Sequence, residues 1–405
     1  MKNYETTVDW MFSKLPMYQR IGRKAFKKDL TNIIDFLDVL KNPERRYPAV
    51  HVAGTNGKGS VASMLASVLI EAGYKVGLYT SPHLKDFRER IKVNGNPVRK
   101  RFVTGFINRH KAFLEAKQLS FFEMTVAMAF DYFAKNKVDI AVIETGLGGR
   151  LDSTNVIMPL LSIITNVQMD HTDLLGDTLE KIAYEKAGII KPAVPVVIGE
   201  VEPQVMRVFE ETAREQGAEI LLPSEDFGRY ETDLKGPYQK NNLPLVLEAV
   251  NHLRASGFSI SESVLRSGLM KVKENTGFRG RWEMISDNPY ILFDTAHNFD
   301  AIKLVLNELK NLDVHKKHFV LSFVKDKNVK EILGLFPQDA QYYISQSSVP
   351  RAMPKEELSA LMQDAGLPYQ VFDDLCSAFE TAKENAGKND LIFVGGSTFT
   401  VAELI

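Results

Sequence analysis

Cysteine is nearly missing: Cys376 is the single thiol among 405 residues, which excludes an internal disulfide framework and any cysteine-based zinc site and suits a reducing cytoplasm. Within Asp374-Leu375-Cys376-Ser377-Ala378-Phe379 that thiol reads as core filling. A net charge is missing too. Lys plus Arg number 50 against 51 for Asp plus Glu, leaving -1, so no overall field draws the chain to nucleic acid or an anionic membrane, and any polyanion has to be held locally. No apolar run approaches the ~18 residues that span a bilayer, and the opening Met1-Lys2-Asn3-Tyr4-Glu5 lacks the apolar segment of a signal peptide. The expectation is a cytoplasmic protein with neither a nucleic-acid nor a membrane partner. Internal repeats and low-complexity tracts are also absent. What is present is ordinary: 44% hydrophobic, 25% charged and 10% aromatic residues exclude disorder, collagen-like repeats and coiled coil, and the length suits two or three domains.

Apolar runs of strand length alternate with helical patterns. Ala49 to Ala53 is a strand, followed by Val61, Met64, Leu65, Val68 and Leu69 at the spacing of a helix with one core-facing side. Val76 to Tyr79, Asp139 to Ile143, Leu160 to Thr165 and Val194 to Ile198 are further strands, and the alternation predicts a parallel sheet covered by helices. The polar, glycine-bearing stretch Lys273 to Gly280 interrupts the pattern. It resumes with strands at Tyr290 to Phe293, Lys317 to Leu321, Gln341 to Ile344, Tyr369 to Phe372 and Leu391 to Val394, and with helices at Ala301 to Leu309 and Ser377 to Asn385. The chain is thus an α/β protein, with a mostly parallel P-loop sheet domain over 1–280 and a smaller, Rossmann-like α/β domain over 281–405.

Between the first strand and its helix lies Gly54-Thr55-Asn56-Gly57-Lys58-Gly59-Ser60. Glycines let backbone N–H groups approach a polyphosphate, the helix N-terminus adds positive partial charge, and Lys58 can reach terminal phosphates. The commonest phosphate-loop pattern has glycine six residues before the lysine and Ser or Thr directly after it. Here Val52 and Gly59 stand there, so this is a variant loop with Ser60 one residue late. Glu144 closes the run Asp139 to Ile143, at the strand end where open α/β sheets place ligands, and a carboxylate there suits the Mg²⁺ that accompanies a triphosphate. Asp170-His171 follows another apolar strand, and Lys186 lies on the helix marked by Leu179, Ile182, Ala183 and Ala187. By residue type alone His171 is as readily a hydrogen-bonded structural histidine, and Lys186 as readily a solvated face.

Taken in order, these segments resemble the folylpolyglutamate synthase and dihydrofolate synthase family of the Mur ligase superfamily. The likeness rests on His51 to Ser60, Thr80-Ser81-Pro82-His83-Leu84, Glu89-Arg90-Ile91, Phe121-Phe122-Glu123, Glu144 to Asn155, Asp170-His171-Thr172 and Ile182 to Ile189. It continues through Gly280-Arg281-Trp282-Glu283, Asp294-Thr295-Ala296-His297-Asn298, Pro350-Arg351-Ala352 and Gly396-Ser397. The resemblance implies that Thr55, Asn56, Gly57, Lys58, Gly59 and Ser60 hold the ATP phosphates. It implies that Ser81, Glu144, His171 and Lys186 bind two Mg²⁺ ions, Lys186 as a carbamate. Asn242 becomes the adenine contact, Arg281 a phosphate contact, and Asp294 and His297 neighbours of the nucleotide and incoming amino acid; Lys58, Lys186 and His297 carry the catalytic roles. Phe121, Phe122, Glu123, Leu151, Asp152 and Ser153 take the pterin, with Pro16-Met17-Tyr18-Gln19-Arg20 as a second candidate region. The chain departs from the family at Tyr238 and Leu243, which replace the His and Ala that usually flank the Gln-to-Asn segment.

The implied activity is an ATP-dependent ligase adding L-glutamate to dihydropteroate and to reduced folates, working as a monomer, 1–280 binding ATP and pterin and 281–405 serving glutamate ligation. Amide formation from a carboxylate needs a leaving group, which ATP supplies as an acyl phosphate, and phosphoryl transfer depends mainly on positioning and charge neutralisation. Since the phosphate loop lies in the first domain and Arg281, Asp294 and His297 in the second, the complete site is expected to form on domain closure. The alternatives are a cell-wall amino-acid ligase, a non-catalytic nucleotide-binding switch and a generic kinase. Phe121-Phe122-Glu123 and the compact length favour the first reading over the cell-wall one.

Overall fold

The computed structural model describes residues 2–16, 29–223 and 228–405. Two compact units emerge: Met1–Asp233 with Gln239–Phe278, and Leu234–Tyr238 with Arg279–Ile405. The short 234–238 excursion into the second unit is not foreshadowed by the sequence pattern.

The first unit is built on an eight-stranded sheet. Its strands are β1 (Ala49–Ala53), β2 (Val76–Tyr79), β3 (Ile91–Val93), β4 (Asn96–Pro97), β5 (Ile140–Glu144), β6 (Leu161–Ile164), β7 (Val196–Ile198) and β8 (Ile220–Leu221), in the order β4-β3-β2-β5-β1-β6-β7-β8. Pairing is parallel from β2 through β8, while β3 and β4 add antiparallel edges. Strands β1, β5 and β6 are buried along their whole length, as expected of central parallel strands covered on both faces. Because β5 and β6 flank β1 on opposite sides, the chain changes direction across the sheet at β1, the switch point where open α/β sheets bind ligands. Register sets Glu144 beside Val52 and Ile164 beside Ala53, so the ends of three strands meet at the phosphate loop.

Helix Lys58–Glu71 departs from the one-sided pattern expected of it: Ser60 to Leu69 are all buried. Its second side is covered by the Glu262–Met270 helix, where Ser67 Oγ donates to the Gly268 carbonyl at 2.6 Å. A Cβ at Gly268 would lie 2.6 Å from Val68 Cα, so only glycine lets the two backbones approach this closely.

In the second unit β9 (Glu283–Asp287), β10 (Tyr290–Phe293), β11 (Lys317–Leu321), β12 (Gln341–Ile344), β13 (Tyr369–Val371) and β14 (Leu391–Gly395) form a sheet ordered β13-β12-β11-β14-β10-β9, parallel except for β9. Its core gathers Leu292, Phe319, Tyr342 and Phe393. Cys376 does not fill that core: on the Leu375–Asn385 helix it is exposed, while Leu375 and Ala378 supply the buried face. Among the described residues no helix is long and apolar enough to cross a membrane.

Candidate active site

The phosphate loop is braced from the neighbouring strand end. Thr55 N–H donates to the Asn166 carbonyl at 3.1 Å, Asn56 N–H to Asn166 Oδ1 at 2.9 Å, and Thr165 Oγ1 to the Asn56 carbonyl at 2.5 Å. Gln168 completes the brace through its backbone N–H, which donates to Thr55 Oγ1 at 3.0 Å. Gly54, at φ +148°, leaves only 1.8 Å between an added Cβ and Thr165 Oγ1, so the close approach requires glycine. Thr165, Asn166 and Gln168 are functional in this sense and were not singled out by motif; the polar run following an apolar strand was the available signal.

Lys58 opens its helix, and its ammonium donates to the carbonyls of Gly54 at 2.9 Å and Thr55 at 3.0 Å. Asn242 and Gln239 cover the loop from the Gln239–Ala255 helix. Asn242 Nδ2 donates to Gln239 Oε1 at 2.9 Å, Gln239 Nε2 donates to Ser60 Oγ at 3.2 Å, and a Cβ at Gly57 would lie 2.2 Å from Asn242 Oδ1. Asn242 therefore packs on the phosphate loop itself.

Glu144, buried, accepts from the Ser81 N–H through Oε2 at 3.0 Å. Its carboxylate oxygens lie 3.6 and 3.7 Å from where a Cβ on Gly59 would stand, so the carboxylate faces the loop. Lys186 is 2% exposed, which sets aside a solvated face. Burial pushes its amine down to about 7, the Lys58 charge acting in the same direction and Asp170 opposing. His171 adopts a left-handed backbone at φ 49°, and its N–H donates to Asp170 Oδ1 at 2.8 Å. The structure thus brings Thr55 to Ser60, Ser81 and Glu144 into one neighbourhood, with Lys186 in electrostatic reach of both Lys58 and Asp170.

Loop 145–152 joins this site to the candidate pterin residues. Asp152, buried, accepts from the N–H groups of Gly146 at 2.9 Å and Leu147 at 2.8 Å and from Thr154 Oγ1 at 2.5 Å, while Thr154 Oγ1 lies 2.8 Å from His51 Nε2. The Thr154 proton is given to Asp152, so His51 Nε2 carries the proton shared with Thr154. Asp152 thereby organises the loop, with Ser153 buried beside it and Leu151 half-buried. Phe122 lies across Gly146, where an added Cβ would meet its ring at 2.4 Å. Phe121 instead belongs to the core, with ring centroids of Phe12 at 5.3 Å and Phe87 at 5.8 Å.

Glu123 finds inside the chain the partner that its place in an apolar stretch calls for. Ser120 caps the Phe121–Asn136 helix, accepting from Glu123 N–H at 3.1 Å, and Glu123 Oε2 accepts from Ser120 N–H at 2.7 Å. This is a capping box, and it corrects the argument that a pterin must supply the partner. Glu123→Ala is expected to lower stability by about 1 kcal/mol, read from the urea midpoint; an unchanged midpoint would return Glu123 to substrate binding. Of the early candidate segment, Met17 to Arg20 lie outside the described residues.

In the second unit Asp294 is fully buried and accepts from Tyr238 OH at 2.5 Å, Trp282 N–H at 2.7 Å and Ala296 N–H at 2.7 Å. Burial raises its carboxyl, with Arg281 and these donors opposing. Its bonds lock the segment that carries His297, whose Nδ1 lies 3.0 Å from the Thr295 carbonyl. Tyr238, noted above as a departure from the family, is thus the phenol that anchors Asp294. Arg281 Nη1 donates to the Gly280 carbonyl at 3.2 Å.

A braced phosphate loop at the switch point of a parallel sheet, with a carboxylate at its edge and a second α/β unit following, defines a nucleotide-dependent ligase of Mur type. Family models agree: the Mur ligase middle domain matches residues 52–243, and the Mur ligase glutamate ligase domain matches 280–398. The dihydrofolate synthase/folylpolyglutamate synthase of Bacillus subtilis strain 168 is 32% identical, over 99% of this chain and 98% of its own length. The structure of E. coli FolC in complex with DHPP and ADP superposes with a TM-score of 0.84 at 28% identity, covering 100% of this chain and 97% of that one. A bifunctional folylpolyglutamate synthase/dihydrofolate synthase with Mn, AMPPNP and L-glutamate bound gives a TM-score of 0.84 at 25% identity, with the same coverage. The chain belongs to the dihydrofolate synthase/folylpolyglutamate synthase family, and the expectation of an ATP-dependent acid–amino-acid ligase holds.

Proposed function

We propose that this chain joins L-glutamate to dihydropteroate and to reduced folates, using ATP and Mg²⁺ and acting as a monomer. The observation that carries the reading is the meeting of the phosphate loop, the Ser81–Glu144 pair and buried Lys186 at the switch point of one sheet. The N–H groups of Thr55 to Ser60 and the start of the Lys58–Glu71 helix suit a triphosphate, and Lys58 adds a cation on the same loop.

The donor set fits a hard divalent ion that keeps part of its coordination for water and phosphate. Among the described residues no three His, Cys, Asp or Glu side chains form a metal cluster; the residues that would hold two ions together with the substrate are Ser81, Glu144, His171 and an oxygen-bearing Lys186. Bound there, Mg²⁺ supplies charge neutralisation on the phosphates. An acceptor carboxylate oxygen attacks the γ-phosphorus and ADP leaves; the glutamate nitrogen then attacks the acyl carbon, phosphate leaves, and the nitrogen gives up a proton. His297 suits that last step. A carbonyl oxygen only accepts, so its bond to Thr295 places the proton on Nδ1 and leaves Nε2 as the basic nitrogen. Phe122 and the loop held by Asp152 would border the pterin.

Carbamylation of Lys186 is expected: the neutral amine attacks CO₂, one proton leaves, and the buried amine becomes an anionic oxygen ligand. With ¹³C-labelled bicarbonate, NMR should show a carbamate resonance that is missing from Lys186→Ala; a spectrum without it contradicts the assignment. Radiolabelled glutamate offered with pteroate or with nucleotide-linked muramyl acceptors tests the substrate class. Label in the folate-type product supports it, and label in the muramyl product alone overturns it.

A further inference from the structure

Net neutrality means that an anion has to be held by a local cluster, and the first unit has such a cluster away from the phosphate loop. A groove of about 430 Å³ opens between the start of the Lys100–Ala116 helix and the end of the Phe121–Asn136 helix, lined by Arg99, Arg101, Arg109, Phe102, Phe106 and Tyr132. The Phe121–Asn136 helix leads into the beginning of β5, whereas Glu144 lies at the other end of that strand. None of the phosphate-loop residues lines the groove.

Its walls combine cations with aromatic rings. Phe102 and Tyr132 meet edge to face with centroids 4.7 Å apart, and Phe102 stacks on Phe106 at 6.2 Å. The lysines here are engaged: Lys100 with Glu5 at 3.4 Å, Lys111 with Glu115 at 3.8 Å, and Lys135, which also lines the groove and lies 5.4 Å from the centre of the Phe102 ring, with Asp131 at 2.6 Å. Among the described residues Arg99, Arg101 and Arg109 have no such acidic partner, and all three are exposed.

Two local features work against the fold. Arg99, Lys100 and Arg101 occupy the cap and first turn of a helix with no acidic residue and no side-chain cap there, which sets cations against the positive end of the helix dipole. Gly105 sits inside the same helix, where glycine is destabilising relative to alanine. Nothing in the fold requires it, because a Cβ added at Gly105 would meet no atom within 4 Å. Its bare backbone instead keeps the groove open. Features that cost stability without a packing reason mark a functional surface, and the volume is that of a small-molecule site.

We infer that this groove binds a small anion carrying two or more phosphate or carboxylate groups beside a planar ring. Guanidinium forks match both anionic groups bidentately and stack on rings, and the aromatic wall receives the ring. Phosphate and carboxylate ligands share this chemistry; the carboxylate case, a polyglutamylated pterin, rests on the function proposed above.

Calorimetry on the full chain, with saturating ADP and Mg²⁺ occupying the phosphate loop, separates the sources at about 0.15 M salt, where surface charges are already screened. Guanosine 5′-diphosphate serves as the phosphate probe and pteroyltriglutamate as the carboxylate probe. Arg99→Gln/Arg101→Gln/Arg109→Gln removes the charges, and Gly105→Leu fills the groove while improving the helix. At least one probe should bind the wild type and bind both variants at least about tenfold more weakly, as expected for lost charge-assisted contacts. Bound probe should also slow hydrogen exchange over residues 99–109. Which probe shows this names the source. Equal affinity in all three proteins, no binding of either probe, or protection confined to other segments would overturn the inference. Ligase turnover in both variants is expected within about twofold of wild type, as for exposed surface changes; loss of turnover in the wild type would speak against the proposed function and leave the groove to be decided by binding.

Discussion

Lys58→Ala should reduce acceptor-dependent ADP release by about 10²–10³-fold, the loss typical of removing one group that stabilises developing charge. The substitution removes an ammonium held over the phosphate loop by the Gly54 and Thr55 carbonyls. Those carbonyls stay within reach of water in a part-buried loop, so the stability change should remain near about 1 kcal/mol. The loop keeps its brace from Thr165, Asn166 and Gln168, and a folded but inactive protein is the expected outcome. Turnover above about a tenth of wild type would contradict the role, since it corresponds to less than about 1.4 kcal/mol of transition-state stabilisation.

The second large effect is expected at Glu144, where charge and structure can be separated. Glu144→Ala leaves the Ser81 N–H without its acceptor, costing about 1–3 kcal/mol of stability, and should reduce turnover by about 10²–10³-fold. Glu144→Gln keeps an amide oxygen for Ser81 but removes the negative charge facing Gly59. It should melt close to wild type and lose nearly as much activity. Thermal melts paired with ADP-release rates check this, and an active Glu144→Gln would show that the carboxylate charge is dispensable.

Strands were readable where they are mostly apolar: β1, β2, β10, β11 and β12 have the ends that the sequence suggests. The antiparallel edges escaped. β3 has three residues and β4 two, and β9 is a mostly exposed strand with no apolar alternation. The turn 54–60 between a strand and its helix, and Glu144 at a strand end, were legible as positions since each is contiguous with an apolar strand. The brace from Thr165 to Gln168 was not, because it depends on β6 lying beside β1. Burial of the Lys58–Glu71 helix on both sides depends on Gly268, some 200 positions along the chain. Cys376 was misjudged, and the argument for Glu123 was incomplete, for a related reason: local composition does not reveal a capping box that engages one carboxylate oxygen internally, nor which face of a helix meets the core. In the second unit, the substitution that sets Tyr238 apart from the family became intelligible only as the hydroxyl bound to Asp294.

The dual acceptor range is the central functional claim, and it rests on one catalytic centre serving carboxylates at different distances from the pterin: a benzoate in dihydropteroate and a glutamyl side chain in a reduced folate. The most direct measurement is ADP release with ATP, Mg²⁺ and L-glutamate, comparing dihydropteroate with tetrahydrofolate under identical conditions. Both acceptors should raise ADP release above the acceptor-free rate, each with stoichiometric incorporation of glutamate. A protein inert toward either one, with the other fully active, would contradict the account.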